Sequence, residues 1–341
     1  MKNFKKLSAI AFILIASQYQ ANAQSKTGFH VIKDMHIASS GGWDYITVDG
    51  ANKRIYTSHG NQVNVLSTTG DSIGYIPNTP GVHGIALVTA LNKGYISTGR
   101  ANKVIVFDLK TFKVLSEIPA GTNPDAIFYD AFSKKVYAFN GRSKDATVID
   151  VDKDIVVATI PLDAKPETGV SDGKGKIFVN AETTNEVAVI NATTYKVEAR
   201  YKIEAGEEPS GLDIDTKTNR LFIGCGGNKT MVIMDATNGK NLAKFAIGDC
   251  DGLVFDPILK MAYSSNGEGT ISAVKEVSAD KFEFVENITT EPSARTIGID
   301  LLTHKLYLPA AKTEPVAATT ANPKPRPKQV PGSFHIIEVG K

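Results

Sequence analysis

Asp44, His83, Asp125, Glu167, Asp251 and Arg295 recur along the chain at about one repeat spacing or twice it, setting four carboxylates with one imidazole and one guanidinium. A histidine between carboxylates can serve as a base, a metal ligand or a substrate clamp. A guanidinium among acids either pairs with them or grips an anion. A second set is interleaved with the first: His59, Arg100, Asn140 with Arg142, Asn180, Asn266 and Glu268. The asparagines would supply directional hydrogen bonds, and Arg100, Arg142 and Arg295 would hold anionic groups. His83, His59 and Glu268 are the candidate catalytic groups. Asp125, Glu167 or Glu268 could orient a histidine base or hold a hard divalent ion such as Mg²⁺ or Ca²⁺. Each residue also has a plain structural role open to it. Asp44, Asp125 and Asp251 can cap loops by accepting backbone N–H bonds, and His59, within Ser58-His59-Gly60, can be a turn histidine. His30, His36, His304 and His335 read as structural. Side chains this far apart in sequence act together only if the fold brings them to one place.

The fold that would do so is legible as a repeat. A phrase of about 42 residues recurs seven times from Trp43 onward. Its anchor is an aromatic after a small or apolar residue: Tyr56, Tyr95, Tyr137, Phe178, Phe222, Tyr263 and Tyr307, with gaps of 39, 42, 41, 44, 41 and 44 residues. A second anchor, an isoleucine, follows in phase at Ile76, Ile118, Ile160, Ile203, Ile247 and Ile288. Four short strands per period predict an all-β, seven-bladed β-propeller of four-stranded antiparallel blades. The third strands, such as Val104-Ile105-Val106-Phe107 and Met231-Val232-Ile233-Met234, are apolar on both faces, as strands between stacked blades must be. One blade alone would leave both faces wet, so stability requires stacking.

The seventh blade has three strands after Thr296 and no fourth. The segment Val31 to Ile37 is available to complete it and close the ring, which would remove two unpaired edges. Thr313 to Pro331 carries five prolines and reads as an exposed loop inserted in blade seven, either passive or a lid. In a propeller, the loops leading into the first strands and those joining second to third strands emerge on one face, around the channel. Both residue sets above fall in those loops. The opposite turns, such as Asp215-Thr216-Lys217-Thr218-Asn219, are interchangeable turn chemistry.

The first residues read as an export leader rather than as part of the fold. Lys2, Lys5 and Lys6 precede an apolar run from Leu7 to Ala16, and Ala21-Asn22-Ala23 offers a cleavage site. The expected organisation is a signal peptide over 1–23 and one propeller domain over 24–341, with no transmembrane segment in the mature chain. Removing three lysines takes the formal charge from +2 to 2 − 3 = −1, which leaves no basic excess for nucleic acid. Cys225 and Cys250 could form a disulfide in an oxidising compartment or remain packed thiols. No Gly-x-Ser-x-Gly elbow, phosphate loop or zinc-spaced histidine pair occurs.

Pro209-Ser210-Gly211-Leu212-Asp213-Ile214, Asn123-Pro124-Asp125-Ala126 and Ala146-Thr147-Val148-Ile149-Asp150 resemble the YVTN-repeat β-propellers, specifically the exported YncE-like group. Gly42-Trp43-Asp44-Tyr45, Ser265-Asn266-Gly267-Glu268-Gly269 and Ala294-Arg295-Thr296 are similar to that group as well. The likeness covers roughly residues 29–341 and implies a seven-bladed propeller and export to the periplasm or beyond. More distant propeller relatives include streptogramin lyases and sugar lactonases, which use histidine, glutamate or arginine with a divalent metal on the corresponding face. Some related propellers are linked to nucleic-acid binding. Three functions follow in order. The first is an exported monomer that binds a small ligand or partner protein at the channel mouth without catalysis. The second is a metal-assisted hydrolase or lyase. The third is a binder of single-stranded nucleic acid, with Trp43 and Tyr45 as stacking surfaces.

Overall fold

The computed structural model describes residues 26–317, 319, 325 and 327–341. The leader expected over 1–23 lies outside the described residues. Seven four-stranded antiparallel sheets form the ring, and a separate two-stranded ribbon stands beside them. The innermost strands are Trp43–Asp49, Val82–Val88, Pro124–Asp130, Pro166–Ser171, Pro209–Asp215, Cys250–Asp256 and Gly298–Asp300. Innermost strands of neighbouring blades pack on one another around the axis.

The aromatic anchors are the wedges between blades. Tyr56, Tyr95, Tyr137, Phe222 and Tyr263 are fully buried, and Phe178 and Tyr307 nearly so. Each fills the space between two stacked sheets, where a large side chain buries the most apolar area per residue. The isoleucine anchors Ile76, Ile118, Ile160, Ile203 and Ile288 close the outer edge of the same clusters. On the lower face, Asp49, Asp130, Asp215, Asp256 and Asp300 accept backbone N–H bonds from the turns that follow them.

Blade seven draws its strands from both ends of the domain. Its sheet runs His30–His36, His335–Gly340, Lys305–Ala310, Gly298–Asp300. Met35 of the N-terminal strand is buried, and Thr27 donates from both N and Oγ1 to Glu286 Oε1 of blade six (2.6 Å each). Between Lys305–Ala310 and His335–Gly340 runs the proline-rich insertion. Its proline content predicts no strand, yet its two ends pair, Thr313 opposite Gln329 and Glu314 opposite Lys328. The four paired positions, Thr313, Glu314, Lys328 and Gln329, include no proline, so no donor is missing from the ribbon. Both cysteines are free and buried. Desolvation pushes the Cys225 thiol up to about 12 and raises Cys250 as well.

Candidate functional site

In blades one to six the innermost strand slips register next to its first residue. The shifts fall between Trp43 and Ile46, Val82 and Ile85, Pro124 and Ile127, Pro166 and Gly169, Pro209 and Gly211, and Cys250 and Gly252. Such a bulge leaves a residue without a cross-strand partner and re-aims its side chain. The residues so released include Asp44, His83, Asp125, Glu167, Ser210 and Asp251. Arg295 stands ahead of the shorter seventh strand.

Six of these seven residues form one continuous polar chain across the blades. Ser210 Oγ donates to Asp251 Oδ1 (3.1 Å), and Asp251 pairs with Arg295 Nη1. Arg295 Nη2 reaches Trp43 O at 3.2 Å and Asp44 Oδ1 at 3.4 Å. Asp44 Oδ2 accepts from His83 Nδ1 at 2.6 Å, and Asp125 Oδ1 lies 3.5 Å from the same nitrogen. An ionised carboxylate only accepts, so Nδ1 carries the proton. Glu167, buried on the next blade, takes Lys165 Nζ at 2.6 Å, and Lys165 also holds Glu182 at 2.5 Å.

The charges are unevenly matched. Arg295 answers Asp251 and Asp44, and Lys165 answers Glu167 and Glu182. Asp125 has one ionic contact among the described residues, the longer one to His83. Burial and the negative charge of Asp44 push the Asp125 carboxyl up to about 6, against the opposing pull of His83, Lys165 and Arg295. Burial and the charge of Asp125 push Glu167 up to about 7, although Lys165 pulls it down. Burial disfavours the imidazolium of His83, but the Asp44 hydrogen bond and three carboxylate charges prevail and raise its pKa above the ordinary value. Tyr45, one residue below Asp44, is raised well above the phenol range by burial and by Asp125, Glu167 and Asp44. At neutral pH the rim holds carboxylates poised to take or release a proton beside a histidine that favours its charged form.

The second set of residues does not join the rim. His59 is fully buried, bonded through Nδ1 to Ser39 Oγ (2.5 Å) and stacked on Phe334 at 3.8 Å. Desolvation lowers its pKa to about 4, against a backbone hydrogen bond at Gly41. Glu268 is exposed. It pairs with Lys229 and accepts from Asp249 N (2.8 Å), and these contacts hold it below the usual carboxylate range despite some desolvation. Asn140 Nδ2 donates to Asp145 Oδ1 (2.6 Å) and Thr147 Oγ1 (2.9 Å), and Asn266 Nδ2 to Thr270 Oγ1 and Ser272 Oγ (3.0 Å each). Asn180 Nδ2 ties blade four to blade five through Ser210 O (3.0 Å) and Gly211 O (3.1 Å). All three asparagines are buried, while Arg100 and Arg142 are exposed. Arg100 borders an open crevice of about 440 Å³ formed by Ala38–Gly42 and Gly60–Gln62. That crevice is mostly glycine, serine and amide, and the titratable groups gather at the rim instead.

Two residues of the site escape a reading by blade position. Lys165 precedes the repeat position rather than occupying it. Asp213 lies three residues below Ser210, where the other blades carry Thr47, Ala86, Phe128, Val170, Val254 and Gly298. It is the single charge in that layer, a signal available in the sequence. Its carboxylate accepts Phe255 N (2.7 Å) and Ile214 N (2.8 Å), and burial raises it to about 6.

No family model matches the chain. Among curated proteins it is 24% identical over 191 residues to the uncharacterized protein YncE of Salmonella typhimurium strain LT2, covering 54% of this chain and 53% of that one. It is 23% identical over 191 residues to the uncharacterized YncE of Salmonella typhi, with the same coverage. The chain thus spans about half the length of the curated relatives it matches. Among solved structures it superposes on Kuenenia stuttgartiensis hydrazine synthase with a TM-score of 0.71 and 14% identity, covering 80% of this chain and 94% of that one. It superposes on the WD40 repeats of RRP9 with a TM-score of 0.76 and 8% identity, covering 91% and 98%. These structural likenesses show the fold alone. Homology to YncE over about half the chain and a ring of seven four-stranded blades together fit a YncE-like β-propeller.

Proposed function

We propose that the protein is a non-catalytic binding protein whose channel-mouth rim takes a small ligand, or a side chain of a partner protein, bearing positive charge or hydrogen-bond donors. The observation that carries this reading is Asp125. It is a partly buried carboxylate whose one ionic contact among the described residues is 3.5 Å long, and the charge of Asp44 opposes its ionisation. A donor or cation placed there would relieve a repulsion the fold otherwise bears. Arg295 is already engaged by Asp251, Asp44 and Trp43 O, so the rim favours cations over the anions that its guanidinium suggests in sequence. Trp43 packs on Phe334, and Tyr45 is half-buried in the channel, which makes both poorer stacking surfaces for single-stranded nucleic acid than exposed aromatics would be. Export and a monomeric state rest on the leader pattern and on the closed blade plan.

A second reading has its own support. Asp44, His83 and Asp125 each offer a ligand atom, all within 4.8 Å of one another. Carboxylate oxygens suit a hard divalent ion, which Asp44 and Asp125 would hold with His83 as third ligand, and such an ion would supply the Lewis acid of a hydrolase or lyase. Equilibrium dialysis against Mg²⁺, Ca²⁺ and Mn²⁺, followed by elemental analysis, separates the two. Fewer than about 0.1 ions per chain supports the first reading. One ion per chain that is lost in His83→Ala supports the second.

A further inference from the structure

Beneath the rim lies a cavity of about 120 Å³. Its walls include Tyr45, Ile85, Ile127, Phe128, Phe139 and Thr168. Apart from Phe139, these residues follow directly on the strands that carry Asp44, His83, Asp125 and Glu167 at their mouths. One step down the channel therefore takes a molecule from four titratable groups into an uncharged, largely hydrocarbon chamber. The wall is fixed by close approach. A Cβ on Gly169 would stand 2.4 Å from Phe139 Cε2, and one on Gly84 would stand 2.8 Å from Ile127 Cγ2. Thr47 Oγ1 is spent on Ile85 O (2.7 Å). No charged side chain lines this chamber.

A site with charge at its lip and carbon below selects amphiphiles. We infer that the occupant is a small hydrophobic amine, its protonated nitrogen at Asp125 and Glu167 and a compact branched or cyclic tail in the chamber beneath. The inference rests on the reading of the rim as a ligand site and narrows it. The size follows from the volume. A dry engineered cavity of roughly 150 Å³ accommodates benzene, so this chamber suits about five carbons. A bare cation would leave the chamber empty, and an uncharged ligand would leave Asp125 with only its 3.5 Å contact to His83. The two requirements are coupled because the same strands supply both.

Isothermal titration calorimetry at pH 7.5 with three probes tests this: 3-methylbutylamine, 3-methylbutanol and ethylamine. The first should bind at least about tenfold more tightly than either of the others, because it alone meets both demands. Asp125→Asn should weaken both amines by about tenfold and leave the alcohol unchanged. Thr168→Leu fills the chamber and should erase the advantage of 3-methylbutylamine over ethylamine. Thermal unfolding of each variant verifies that it is folded, and the comparison on the unmodified protein decides without either. Equal affinity of the two amines, both weakened by Asp125→Asn, overturns the inference and leaves the rim reading standing. Binding of the alcohol as tight as that of its amine overturns the inference too. Absence of any binding, or binding that Asp125→Asn does not touch, overturns both.

Discussion

Replacing Asp125 with asparagine should make the protein more stable at alkaline pH, and the size of the gain can be worked out. Asparagine keeps the shape and the polarity of the site but cannot ionise. The folded protein raises the Asp125 carboxyl from 3.8 to about 6, through burial and the charge of Asp44. Where the group is ionised in both states, that rise costs the folded state about 3 kcal/mol. Between about pH 4 and pH 6 the folded chain keeps a proton that the unfolded chain has released. Stability therefore falls as pH rises through this window and is flat above it. The variant lacks this loss, so its advantage is near zero at pH 4 and full by pH 7. His83 gives up its 3.5 Å contact but retains Asp44 at 2.6 Å, which trims the gain to about 1–3 kcal/mol. For a domain of this size that corresponds to a rise of roughly 2–6 °C in melting temperature at pH 8. Differential scanning calorimetry at pH 4.5, 6 and 8 measures it. A variant less stable than the parent at pH 8, or one whose advantage is the same at all three values, refutes the argument that this carboxylate is held under electrostatic strain.

His59 should act in the opposite direction. Its lowered pKa means that the unfolded chain binds a proton between about pH 6.5 and pH 4 while the folded chain does not, so its contribution to stability is lost on acidification. His59→Phe should flatten that part of the stability profile in calorimetry. The two thiols should be inert in the native protein and react fully with a chromogenic disulfide reagent once unfolded in guanidinium, since burial keeps both protonated. Met35→Ala, at a buried position on the strand that completes blade seven, should cost about 2–5 kcal/mol by chemical denaturation.

The ring was legible because its wedges obey one rule. Tyr56 and Tyr307 sit at opposite ends of the repeat and occupy the same slot between sheets, and only a large apolar side chain fills it. The rim positions were legible for a related reason: each is one residue per blade at the mouth of an innermost strand. Distance from the axis was not legible. Asn140, Asn180 and Asn266 share a loop class with the rim, yet they point into the blades and hold neighbouring strands and loops in place. Repeat phase names the loop and not the direction in which its side chains turn. Arg295 shows a further limit. Its type allowed an anion or a carboxylate partner, and only the spatial approach of Asp251 and Asp44 decided between them. Lys165 was hidden because a compensating charge can come from any nearby backbone position, whatever its place in the repeat.

The strand His335–Gly340 lies in the middle of its sheet, between His30–His36 and Lys305–Ala310, although it is synthesised after every other strand described. The N-terminal strand therefore waits for its sheet neighbour until six complete blades have been synthesised. During that interval six blades can assemble while the seventh offers two unsatisfied edges and a vacant slot. A second nascent chain could insert its own last strand there and exchange segments. Dilute, slow production should then favour single molecules, and crowded production should favour interlocked pairs.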